Sequence, residues 1–142
     1  MSKVESADLI LKLYDLRREP KMREARNWIF QFNPTSVEDY WNTMMDPQVG
    51  GYLRMVSSYW DMAASFVLRG ALNEDLFVDS GTEMWFVFAK LQPFLKDVRQ
   101  QGNTPYLYAR IEKLATRSKE GREKMQMMAK RAESMRARAA KA

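Results

Sequence analysis

The densest set of groups able to do chemistry is acidic: Glu74, Asp75, Asp79 and Glu83 fall close together in the middle of the chain. Carboxylate oxygens are the ligands of hard cations, so a Ca2+ or Mg2+ site is the first chemistry to weigh. A calcium loop alternates its ligands around a central glycine, and neither the alternation nor the glycine is present here. The four acids instead fall between two predicted helices, where negative charge near an N-terminus interacts favourably with the helix dipole. Helix-end electrostatics accounts for them, and no residue is assigned as a metal ligand.

Nucleophilic catalysis needs a base beside the nucleophile. The chain has no histidine and no cysteine, so imidazole bases and thiolate nucleophiles are excluded, along with thiolate metal sites and disulfides. Ser2-Lys3 and Ser118-Lys119 are adjacent pairs, and neighbours on a helix point apart. Gly50-Gly51 is not followed by the Lys-Ser/Thr of a phosphate loop. No catalytic residue and no cofactor is therefore expected, and the sequence reads as a non-enzyme.

The remaining chemistry is cationic. Residues 1–116 hold 14 Lys/Arg and 15 Asp/Glu, a balance of −1, whereas residues 117–142 hold 9 and 3, a balance of +6. All of the net +5 thus belongs to the last stretch, where basic residues surround methionines. A basic amphipathic helix suits an acidic partner groove, a nucleic acid or an anionic lipid surface. This one lacks the Trp, Phe and Leu with which a membrane-surface helix grips lipid. Methionine suits adaptable protein contact. Met125, Met128, Arg131, Met135, Arg136 and Arg138 are the candidate partner-binding residues.

These groups need elements to hold them, and the spacing of apolar residues predicts helices throughout. The first is expected from a cap at Ser6, with Leu9, Ile10, Leu13, Tyr14 and Leu16 on its apolar face. The second runs from Pro20 to Phe32 and is stopped by Asn33-Pro34. Thr35 and Ser36 cap a short helix reaching Met44. A long helix spans Gln48 to Arg69, with Gly70 past its end and Arg54, Ser57, Ser58 and Asp61 opposite its apolar stripe. Asn73 caps a short turn of helix. Another helix covers Thr82 to Gln101, kinked at Pro93.

A last helix starts at Thr104-Pro105. Leu107, Ile111, Leu114, Ser118, Gly121, Met125, Met128, Ala132, Met135 and Ala139 give it a heptad seam to the end of the chain. Gly121 within that helix reads as a hinge or break. Phe30, Phe86 and Tyr52 fall off the main stripes and are expected to form an exposed aromatic patch. No segment shows the period of a strand, and no apolar run approaches the roughly 20 residues needed to cross a bilayer.

The runs Tyr59-Trp60-Asp61-Met62-Ala63-Ala64 and Gly70-Ala71-Leu72-Asn73-Glu74-Asp75-Leu76-Phe77 add a resemblance. With Trp85 and Leu91-Gln92-Pro93-Phe94-Leu95-Lys96-Asp97-Val98-Arg99, the chain resembles a bacterial all-helical family catalogued only as a domain of unknown function. The likeness covers residues 28–114, with Asn73 where an aspartate is expected. It implies an all-helical fold and a bacterial source, and it implies no activity. It also implies structural roles for Pro93, as a kink, and Arg99, paired with Asp97 or Asp61.

The expected architecture is all-α. Four or five main helices form a bundle over 1–116, and a protruding, basic C-terminal helix occupies 117–142. The expected protein is cytoplasmic, without a membrane span. It self-associates or docks a protein partner through the last helix, or alternatively binds nucleic acid through the basic tail.

Overall fold

A computed structural model of the chain describes residues 2–142. Among them the regular structure is entirely helical, so the fold is all-α. Helix α1 (Lys3–Leu16) opens earlier than its apolar pattern suggests, because Ser2 and Glu5 form a reciprocal capping box. Ser6, expected as the cap, is instead buried, and its hydroxyl accepts from the Asn73 amide at 3.0 Å. Helix α2 (Pro20–Ile29) has its proline in the first turn, and Glu19 accepts from the free Met22 amide. Ser36 caps α3 (Val37–Met45), and α4 (Gly50–Leu68) ends before Gly70, whose φ of 80° lies in the left-handed region. Asn73 caps α5 (Glu74–Asp79), as its side chain chemistry predicts.

Proline does more than kink the next expected helix. The chain forms α6 (Glu83–Leu91), a 3-10 turn at Gln92–Phe94, and α7 (Leu95–Gly102). Proline removes one ladder hydrogen bond and crowds the preceding turn, which is enough to split the segment here. The predicted last helix is also two. Helix α8 (Ala109–Ala115) begins after Tyr108, and α9 (Lys119–Lys141) is capped afresh by Ser118, whose hydroxyl accepts from the Gly121 amide at 2.9 Å.

Two helices carry the core. Helix α4 is packed by α2, α3 and α8, while α6 is packed by α9 and α8. Every residue of α6 from Met84 to Leu91 is buried. A helix apolar on all sides needs cover on all sides. Helix α9 supplies one side of it, since Met125, Met128 and Ala132 belong to the same continuous core. The C-terminal helix is therefore a packed layer over its first half. The edge expected near Thr116 is a break between two helices of one core, not the start of a protruding tail.

Gly121 is likewise no hinge. A β-carbon there would stand 2.7 Å from the Ala115 carbonyl oxygen, so the residue marks a close approach of α9 to the end of α8. The aromatic patch is corrected too. Phe86 is buried, and only Phe30 is exposed beside it, ring centroids 4.9 Å apart. Tyr52 is half-buried on another face, donating to Glu24 at 2.9 Å.

Candidate functional site

The heptad seam read from the sequence is a real contact stripe, but its partner is α6 of the same chain. Met125 and Met128 are 6% and 2% exposed, which removes both from the surface a partner would meet. Met135 is partly buried against the same core. The start of α9 is pinned by Lys124, which donates to the carbonyls of Val78 and Gly81 and lies over the Trp85 ring, with centroid distance 4.8 Å. The Trp85 indole in turn donates to the Ala115 carbonyl at 2.9 Å.

The cations divide into three groups. Arg136 reaches inward, and its buried Nη1 has no hydrogen-bond acceptor among the described residues. Arg122 bonds the carbonyls of Thr116 and Arg117, and Lys124 pairs with Glu120 at 3.3 Å. Lys119, Lys130, Arg131, Arg138 and Lys141 are exposed, and no carboxylate among the described residues lies within ion-pair distance of them. Exposed Met127 interrupts this basic outer face.

Close to Arg136 is Lys90, the one fully buried ammonium among the described residues. Its Nζ donates to the Phe32 carbonyl at 2.8 Å and to Asn33 Oδ1 at 3.0 Å, and it faces the Phe86 ring. Burial, with the Arg136 charge as a smaller cause, pushes its pKa down to about 8.

The four acids do not converge. Glu74 pairs with Arg117 at 3.0 Å, whereas Glu83 takes a bidentate bond from Arg26 and a third from the Trp60 indole at 3.1 Å. Asp75 and Asp79 point to solvent. No group of three or more acidic side chains among the described residues is placed to hold a metal ion.

A polar network that the sequence does not announce lies between α3, α4 and α8. Tyr40 and Tyr108 are buried with their hydroxyl oxygens 2.9 Å apart. Burial raises the pKa of both phenols, keeping them protonated. Tyr108 holds a left-handed backbone, φ 57° and ψ 19°, at a cost of about 1–2 kcal/mol for a residue with a β-carbon. Asp61 accepts from Arg110 Nε at 2.7 Å through one oxygen and from the Ile111 amide at 3.1 Å through the other. The pairing implied for Arg99 is different as well. It bonds Glu112 at 3.1 Å and the Leu107 carbonyl at 2.9 Å, and Asp61 belongs to Arg110.

Arg54, Ser57, Ser58 and Asp61 were legible only as the solvated side of a long helix. Their convergence with Tyr40, Tyr108 and Arg110 depends on contacts some 50 to 70 residues apart in sequence, for which a single sequence carries no signal.

A family model described as "Domain of unknown function (DUF4760)" matches residues 3–118. The chain belongs to this family. The match is longer at the N-terminal end than the resemblance expected over 28–114, taking in α1 and the start of α2, and it ends at the cap residue of α9. No curated protein and no solved structure matches the chain. Within the family domain α6 is the central buried helix, and α9, which lies beyond the match, covers it.

Proposed function

We propose that this chain is a non-catalytic cytoplasmic interaction module that docks an acidic protein surface on the outer face of α9. One observation supports the reading above others: five exposed cations on one helix, Lys119, Lys130, Arg131, Arg138 and Lys141, have no carboxylate partner among the described residues. Unpaired surface charge costs little while solvated and steers an oppositely charged partner into place. Arg131 and Arg138 are one heptad apart, so both can face one partner helix. Met127 beside them offers a flexible apolar contact.

A protein partner fits this face better than a nucleic acid does. Glu120, Glu123 and Glu133 interrupt the basic track on α9, and the helix carries no aromatic side chain on which a base could stack. Self-association along the heptad seam would require α9 to leave α6, since Met125 and Met128 are already engaged there.

Fluorescence anisotropy of a labelled glutamate-rich helical peptide tests the proposal, with a 20-base-pair DNA duplex as the competing probe. The expected result is saturable peptide binding weakened about tenfold by the paired change Arg131→Glu and Arg138→Glu. Tighter binding of the duplex, falling steeply between 50 and 200 mM salt, replaces the protein reading with the nucleic-acid one. Equal peptide binding by the wild type and the double variant removes α9 as the docking face.

A further inference from the structure

We propose that the cleft between α3, α4 and α8 binds a small organic acid, its carboxylate held by Arg54 and Arg110 and its apolar body lying on Met44 and Leu107. The cleft has a volume of about 510 Å³, within the range of about 300–1,000 Å³ typical of small-molecule sites. Its chemistry points to an anion. Two guanidinium groups and one carboxylate line it, leaving one excess positive charge.

The carboxylate does not neutralise both cations. Asp61 is committed on both oxygens, to Arg110 and to the Ile111 amide. Arg110 uses Nε and Nη2 on Asp61, and its Nη1 has no acceptor among the described residues. Arg54 has only marginal contacts, 3.5 Å to the Met44 carbonyl and 3.8 Å to its sulfur. Its guanidinium thus stands at the cleft with its fork of donors essentially unspent. A planar carboxylate is the group that such a fork matches best.

The other walls define the rest of the ligand. Met44 and Leu107 present apolar surface, and Tyr108 lines the cleft on a left-handed backbone that the surrounding packing sustains. Strained backbone at a polar cleft is a feature that concentrates where ligands are held. The single excess charge suits a monoanion, and the apolar walls suit an organic body more than a bare inorganic ion. Asp61, the carboxylate of the cleft, is engaged on both oxygens by Arg110 and the Ile111 amide, so the assignment is binding and not turnover.

Side-chain NMR of the full chain tests this, following the Arg Nε–H signals while benzoate, benzyl alcohol and inorganic phosphate are titrated separately. Saturable shifts of the Arg54 and Arg110 signals by benzoate are expected, with at least tenfold weaker binding of benzyl alcohol and phosphate. Arg54→Ala, a change at an exposed side chain that leaves the core untouched, is expected to weaken benzoate binding at least tenfold with an unchanged circular dichroism spectrum. Benzyl alcohol or phosphate binding as well as benzoate overturns the organic-acid assignment. So does an Arg54→Ala chain that binds benzoate like the wild type, or a wild type that shows no saturable shift.

Discussion

Raising the pH from 7 to 9.5 is expected to stabilise this protein, and Lys90 is the reason. Its ammonium is buried on α6 with two carbonyl oxygens and an aromatic ring for company, and no carboxylate among the described residues pairs with it. Burial holds its folded pKa at about 8, below the ordinary 10.5. The unfolded chain therefore binds more protons than the folded one between those values, so stability increases with pH across that window. The charge-burial penalty is complete below pH 8 and vanishes above 10.5. At neutral pH it amounts to about 3 kcal/mol, and about 2 kcal/mol of it is relieved by pH 9.5.

The buried phenols oppose this only later. Tyr40 and Tyr108 are raised, and Tyr59 is pushed up to about 12, so their stabilisation is lost as the pH climbs past the ordinary phenol value of 10. A maximum in stability is expected between about pH 9 and 10. Urea unfolding at several pH values reads the effect. A gain of about 2 kcal/mol moves the midpoint by about 1 M for a protein of this size. Lys90→Met removes the titrating group, and its midpoint is expected to stay flat from pH 7 to 9.5. A wild type with a flat profile, or a Lys90→Met chain that rises in parallel, refutes the argument.

Three further outcomes follow from the packing. Met128→Ala deletes a side chain wedged between α9 and α6, and chemical denaturation should register a loss of about 2–4 kcal/mol, against almost none for exposed Met127→Ala. Gly121→Ala should lower the melting temperature despite alanine's better helix propensity of about 1 kcal/mol, because the new methyl meets the Ala115 carbonyl; a raised melting temperature means that α9 slides away freely. Glu83→Gln should cost about 2 kcal/mol, less than a fully buried ion pair, since it strips the charge from a carboxylate bonded to Arg26 and Trp60 that retains some solvent contact.

What the sequence revealed and what it hid divide along a physical line. Caps and breaks are local chemistry, so Ser36, Asn73 and Gly70 announced their roles within a few residues, and Pro93 announced the place of a disruption though not that it splits the helix. The stripe Gly121, Met125, Met128, Ala132 was equally legible as a contact surface, because helical spacing alone defines it. Its partner was not, since nothing in the spacing says whether the opposing helix lies in the same chain. That one ambiguity turned a packed layer into an expected docking tail and carried Met125 and Met128 onto the wrong list. The first helix shows the converse error. Tyr14 and Leu16 have the spacing of core residues, yet both are exposed, while Ser6 takes a buried place because the Asn73 amide needs an acceptor. Arg54, Asp61, Arg110 and the tyrosine pair stayed hidden because their meeting is entirely tertiary.

The complete enclosure of α6 has a consequence for how the protein is made. Its apolar surface is synthesised before the helix that closes over it. Some 40 residues separate Leu91 from Ala132, which at about 5–20 residues per second is an interval of roughly 2–8 seconds. During that interval the nascent chain presents Trp85, Phe86 and Phe88 with one side uncovered, which makes it a client for whatever binds unfinished hydrophobic helices. Slowing translation over α9 should then lower soluble yield without changing a single native contact.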